Sequence, residues 1–108
     1  MPEYFSGKQL KNMNMSQLDA LCEDLRQKIL STVLKNGGHL ASNLGAVELT
    51  VALHYVFNLP DDKIIFDVGH QCYSHKLLSG RGDSFNTLRK KGGISGFPKR
   101  EESPYDCY

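Results

Sequence analysis

Two short stretches of this sequence carry residue types that can do chemistry. Asp67-Val68-Gly69-His70-Gln71 sets an imidazole directly after a short apolar run. In an open α/β sheet the site lies where strand carboxyl ends turn into helix N-termini. A histidine there can donate a hydrogen bond to a phosphate oxygen or exchange a proton with a substrate. A helix starting right behind it favours an anionic group. The competing reading is a histidine that caps the helix or bonds a backbone carbonyl. The second stretch is Gly37-Gly38-His39-Leu40-Ala41-Ser42-Asn43-Leu44-Gly45. Its glycines let backbone approach a ligand closely, and His39, Ser42 and Asn43 offer polar side chains just ahead of a helix. There the competing reading is that Ser42 or Asn43 caps that helix, while Gly37 and Gly38 only end the one before it.

Other signals are weaker. His70, Cys72 and His75 crowd together like metal ligands, but their spacing matches no common zinc pattern and one short helix accounts for Cys72 and His75. No metal ligand is assigned. Arg81-Gly82-Asp83 is the tripeptide of integrin-binding loops and reads here as a polar turn. Asn14-Met15-Ser16 fits the glycosylation acceptor pattern, which is idle without secretion. Gly92-Gly93-Ile94-Ser95-Gly96-Phe97-Pro98-Lys99-Arg100 combines glycines with two cations, a composition that can cradle phosphate. It lacks the Gly-Lys-Ser/Thr ending of a P-loop, and a mobile gate or a buried connection fits it as well. His54 reads as a hydrogen-bonded core residue, and Glu48 needs a partner if it is buried.

Periodicity supplies the elements that must position these residues. Residues 1–14 read as a polar, patternless arm and 15–108 as the incomplete N-terminal part of a domain. A helix is predicted from about Ser16, its N-cap, with Leu18, Leu21, Cys22, Leu25, Ile29 and Val33 in one apolar stripe and a stop at Gly37. A second helix is predicted from about Leu44 to Phe57, apolar on nearly every side and so expected to be covered on most of them. Asn58-Leu59-Pro60-Asp61-Asp62 breaks it. Residues 63–68, Lys-Ile-Ile-Phe-Asp-Val, read as a strand buried on both faces, and a helix is expected from Gln71 to Ser79. From Ser79 onward apolar residues are sparse, and that stretch reads as a functional loop, a mobile end, or a lead-in to something further. Helix, helix, strand, helix is one slice of an α/β fold: a partial three-layer open parallel sheet, mostly helical in this piece.

Composition narrows the function classes. With 108 residues the chain suits one domain at most. Thirteen basic against twelve acidic residues, a net charge of +1, argue against a basic nucleic-acid footprint. No apolar run approaches a membrane span, the N-terminus lacks a signal-peptide layout, and three cysteines do not read as a disulfide framework. A soluble, cytoplasmic chain with no nucleic-acid or membrane partner is the expectation.

The blocks Gly37 to Gly45, Val47-Glu48-Leu49-Thr50-Val51-Ala52-Leu53-His54, Asp67 to Gln71 and Gly96-Phe97-Pro98-Lys99-Arg100 closely resemble the 1-deoxy-D-xylulose-5-phosphate synthase family in residues, order and spacing. The similarity runs from about Ser16 to Asp106. It implies a transketolase-like transferase that uses thiamine diphosphate and Mg²⁺ to condense pyruvate with D-glyceraldehyde 3-phosphate, feeding isoprenoid, thiamine and pyridoxal synthesis. In such a homodimeric enzyme the cofactor is the electron sink, while protein groups bind, orient and move protons. The resemblance places His70 and His39 at the cofactor as binding and catalytic residues, and His39 with Ser42 nearer the reacting carbon and the substrate.

The family's Mg²⁺–diphosphate signature, Gly-Asp-Gly followed by Asn, is absent from this sequence. So are the Gly-His-Ser stretch expected after Asp106 and the glutamate that activates the aminopyrimidine. Tyr108 therefore reads as a truncation point, and the chain as an N-terminal piece, inactive by itself, that needs the rest of the synthase on the same or a separate chain. A non-catalytic binding or assembly module derived from that fold is the alternative.

Overall fold

A computed structural model of the chain describes residues 7–66 and 69–107. The order of elements is α1 (Gly7–Leu10), α2 (Met15–Asn36), α3 (Ala41–Gly45), α4 (Val47–Val56), α5 (Tyr73–Leu78) and a 3-10 helix (Gly82–Thr87). No β-strand occurs among the described residues, and no helix among them is long and apolar enough to cross a membrane.

The long helix α2 organises the rest. Its stripe is buried as the spacing predicts, with Leu21, Cys22, Leu25, Ile29 and Val33 inside. Its start differs from expectation. Asn14, not Ser16, is the N-cap, and its side chain accepts from the Gln17 amide at 2.9 Å. The Gln17 side chain in turn accepts from the Asn14 amide at 2.9 Å, so two orphan donors are satisfied reciprocally in a capping box. Gly37 ends α2 as predicted, with a φ of +82° that an L side chain tolerates poorly.

The second predicted helix is divided. Ala46 separates α3 from α4, so Ser42 and Asn43 lie inside α3 rather than capping the longer helix. Val47 and Val51 face the core, while Leu49 and Val56 remain 63% and 65% exposed, so within this chain α4 is not covered on most sides. Lys11 caps its C-terminal end, donating from Nζ to the carbonyls of Tyr55 at 2.7 Å and Phe57 at 2.8 Å. Leu10 on α1 is fully buried, so the stretch read as a patternless arm contributes to the core. Glu48 is exposed and pairs with Arg26 across α2 and α4. An exposed pair of this kind contributes about 0–1 kcal/mol.

The expected strand is the main departure. Residues 63–66 form no regular element, and Ile65 is 72% exposed rather than buried on both faces. Asp67 and Val68, the expected strand end, lie outside the described residues. A parallel strand needs neighbours to take its amides and carbonyls, and no partner strand is described. The helix expected over 71–79 forms as the shorter α5, buried along its whole length.

From Ser79 onward the chain is neither loose nor empty. Phe85 and Leu88 enter the core, and Phe85 meets the Tyr73 ring edge-on at 5.9 Å between centroids. Arg81 is not a displayed integrin-type arginine: it is 7% exposed and grips Asp106 through two hydrogen bonds of 2.7 Å. Its Nη1 also reaches Glu102 at 3.0 Å, and the fully buried Lys76 donates to the same oxygen at 2.6 Å. Amides of Ser95 and Lys99 donate to Glu102 and Asp106 at 2.7 and 2.8 Å. The glycine-rich loop is therefore a pinned connection. Burial alone would raise the carboxyls of Asp106 and Glu102, but hydrogen bonds dominate. For Asp106 they come from Arg81, His75 and the Lys99 amide, for Glu102 from Lys76, the Ser95 amide and Arg81, and both groups titrate below the ordinary range.

A second polar chain leads away from Asp106. His75 Nε2 faces two acceptors, Asp106 Oδ1 and the Tyr105 carbonyl, both at 3.1 Å, so it carries the proton. On its other side, His75 Nδ1 is hydrogen-bonded to His54 Nε2 at 2.9 Å. His54 Nδ1 is buried without a partner among the described residues. Burial first, then the proximity of His75 and Lys11, hold His54 down to about 3, against an ordinary 6.5. His54 is thus the hydrogen-bonded core residue expected of it.

Three outcomes follow from this architecture. Asn14→Ala lowers unfolding free energy by about 1 kcal/mol in denaturant titration, and Ser16→Ala by less than about 0.5 kcal/mol; equal costs would refute the Asn14 cap. Asp106→Ala strands a buried guanidinium and costs about 3–5 kcal/mol, whereas a surface-like cost would show the cluster to be dispensable. Because the folded-state value of His54 lies below its unfolded one, its contribution is complete above pH 6.5 and is lost as pH falls toward about 3. Melting temperature should therefore decline between pH 6.5 and 4.5, and less steeply in His54→Gln.

Candidate functional site

The structure brings His39 and His70 together. Their ring centroids stand 4.9 Å apart at an interplanar angle of 50°, and Phe97 presents its edge to His39 at 6.0 Å. His39 is exposed, His70 half-buried and Phe97 46% exposed, so the three rings form one face open to solvent. Each imidazole offers a donor and an acceptor, and the phenyl edge adds an aromatic contact. Such a face can stack on a flat ring, bond an anion and relay a proton.

Local rules explain how each residue arrives there. His39 follows Gly37 and Gly38, and Gly38 has a φ of +131°. A Cβ on Gly38 would stand 2.6 Å from the Tyr73 hydroxyl, so only glycine allows that oxygen to come in and accept from the His39 amide at 3.2 Å. The stem of Arg89 lies along the same turn: a Cβ on Gly38 or Gly96 would meet its Cδ or Cγ at 3.4 and 3.3 Å. Phe97 is held because Ser95 and Lys99 on either side are tied to Glu102 and Asp106.

The structure corrects the helix start expected behind His70. The helix α5 begins at Tyr73, three residues beyond His70, and its first amide is already taken by Asn43 Oδ1 at 2.9 Å. The Tyr73 amide is therefore not available to an anion beside His70, whose candidacy rests on the ring cluster. Asn43 is a residue that sequence reasoning misplaced. It is 1% exposed, and its amide donates to the His39 carbonyl at 2.6 Å and the His70 carbonyl at 2.7 Å. Its only sequence signal is its place among polar neighbours, which helix capping explains equally well.

Ser42 is half-buried on α3, and among the described residues no hydrogen bond joins it to either imidazole. His70, Cys72 and His75 are not gathered into one centre. His70 packs on His39, the Cys72 thiol points to the Gly96 carbonyl at 3.9 Å, and His75 bonds Asp106. Burial pushes the Cys72 thiol up to about 12, which keeps it protonated and unreactive. Among the described residues no group of three His, Cys, Asp or Glu could hold a metal ion.

The profile of the 1-deoxy-D-xylulose-5-phosphate synthase family matches residues 1–108. Among curated relatives, the 1-deoxy-D-xylulose-5-phosphate synthase of Syntrophotalea carbinolica is 61% identical over 103 residues, 95% of this chain. Those of Treponema pallidum and Desulforudis audaxviator are 62% and 61% identical over 99 residues, 92% of it. The chain spans only 16% of the length of each of these relatives. On the extent of that match, the chain belongs to the 1-deoxy-D-xylulose-5-phosphate synthase family.

Proposed function

We propose that this chain is the N-terminal piece of a transketolase-like synthase that condenses pyruvate with D-glyceraldehyde 3-phosphate, giving 1-deoxy-D-xylulose 5-phosphate and CO2. The product would feed isoprenoid, thiamine and pyridoxal synthesis. The observation that carries the reading is the pairing of His39 and His70 at 4.9 Å on an open face, two imidazoles drawn from separate segments. The family match supports reading that pair as part of a synthase site.

The residues present fit one part of the expected cofactor. Two adjacent imidazoles and the Phe97 edge suit an aromatic, diphosphate-bearing group, because they combine stacking surface with hydrogen-bonding nitrogens. Thiamine diphosphate, when bound, supplies the electron sink for decarboxylation. His70 and His39 would bind and orient it, and an imidazole nitrogen of His39 would hold or move the proton at the substrate oxygen. Ser42, the second residue of α3, would add a hydroxyl toward the substrate. The Mg²⁺ ligands and the activating glutamate are expected outside this sequence, so the chain by itself should not turn over.

On this reading residues 63–66 become one strand of an open parallel sheet whose neighbours come from the rest of the synthase. The working enzyme is a cytoplasmic homodimer, with no role for nucleic acid or membrane.

In the full-length synthase, His39→Ala and His70→Ala should each lower CO2 release from pyruvate about a hundredfold. Loss of His70 should also weaken retention of thiamine diphosphate during gel filtration. Wild-type rates in both variants would overturn the assignment of this face. The purified 108-residue chain should release no CO2 under the same conditions, and turnover by it would overturn the division of labour.

A further inference from the structure

We infer that Asn43 is a positioning residue, whose single side chain fixes the two imidazoles relative to each other. The inference rests on the reading of His39 and His70 as cofactor-site residues. Asn43 makes three hydrogen bonds to three backbone groups that belong to two separate segments. Its Nδ2 donates to the His39 carbonyl at 2.6 Å and to the His70 carbonyl at 2.7 Å, and its Oδ1 accepts from the Tyr73 amide at 2.9 Å. His39 and His70 are 31 positions apart in sequence, and among the described residues no regular backbone ladder joins their segments.

Each bond has a definite consequence. The Tyr73 amide is an orphan donor at the first turn of α5, and Cys72, the N-cap residue, makes no side-chain cap. Asn43 therefore caps α5 from another helix. The bond to the His70 carbonyl fixes the peptide leaving His70, and the bond to the His39 carbonyl fixes the peptide leaving His39. With both carbonyls anchored on one amide group, the two Cα atoms have little freedom to separate. The placement of the two backbone positions that carry these rings, 4.9 Å apart, is thus set by a fully buried amide. Tyr73 closes the arrangement, since its hydroxyl accepts from the His39 amide while its own amide is held by Asn43.

Only a carboxamide can make this set of bonds. Aspartate has the same shape and keeps an acceptor for Tyr73, but turns an oxygen toward two carbonyl oxygens and loses both donors. Alanine loses all three bonds. Misplacement of reacting groups by about 1 Å can cost on the order of a hundredfold in rate.

The test uses the full-length synthase loaded with thiamine diphosphate and Mg²⁺, with CO2 release counted per cofactor-loaded site. Asn43→Ala should lower kcat about tenfold to a hundredfold while KM for pyruvate stays within about threefold. Asn43→Asp should be at least as slow at neutral pH. Its deficit relative to wild type should shrink as pH falls, because a protonated carboxyl regains one donor. The effects of Asn43→Ala and His70→Ala should be less than additive, since one acts through the other. A purely structural asparagine would instead lower the melting temperature and leave kcat per loaded site and its pH profile unchanged. Wild-type kcat in the folded Asn43 variants beside an impaired His70→Ala would overturn this inference alone. Wild-type kcat in both His39→Ala and His70→Ala would overturn the site reading first, and this inference with it. Should the alanine variant fail to fold, the near-isosteric aspartate variant and its pH profile decide the matter.

Discussion

A buried guanidinium cannot be left unpaired, and Arg81 imposes that constraint on the whole C-terminal half of the chain. An unpaired ion in such a place costs several kcal/mol. Asp106 and Glu102 must therefore come back to it, and the chain between is tethered at both ends, with Phe85 and Leu88 drawn into the core on the way. The two carboxylates use their remaining oxygen lone pairs to accept from the amides of Ser95 and Lys99. A polar, glycine-rich stretch becomes ordered because each buried charge recruits its own partners.

That hub reaches the candidate site along two routes. One is the loop: Phe97 sits between the anchored Ser95 and Lys99, so the ring beside His39 is placed by carboxylates that never touch the site. The other is α5. Its C-terminal part carries Lys76 and His75 into the hub, while its first residue, Tyr73, holds the His39 amide and is itself held by Asn43. A six-residue helix would be unstable in isolation. Here it is buried along its length and capped from α3, and it acts as a strut between the ion-pair cluster and the histidine pair.

Much of this was legible in the sequence. The stripe of α2, its stop at Gly37, the core role of His54 and the two histidine-bearing stretches all rest on local rules, whether helical period, left-handed glycine or residue chemistry. The departures share a cause. Ser16 is a chemically sound cap, but Asn14 has the Gln17 partner at the right spacing. Asn43 has the chemistry to cap its own helix and instead caps another one. Arg81 reads as a surface turn because nothing local announces that Asp106, twenty-five positions away, will meet it. Residues 63–66 have the composition of a buried strand, yet a strand exists only where a neighbour takes its hydrogen bonds.

The sequence by itself determined which residues could do chemistry and where the principal helix runs, because side-chain type and a 3.6-residue period are properties of the chain alone. Its motif blocks also determined the family. Only the tertiary structure decided that His39 and His70 share one face, that Asn43 binds the carbonyls of both, and that Phe97 is carried to them by a distant ion-pair cluster. Those are contacts between groups far apart in sequence. Their formation depends on which buried donors and acceptors find each other once the core has closed, and no local pattern records that choice.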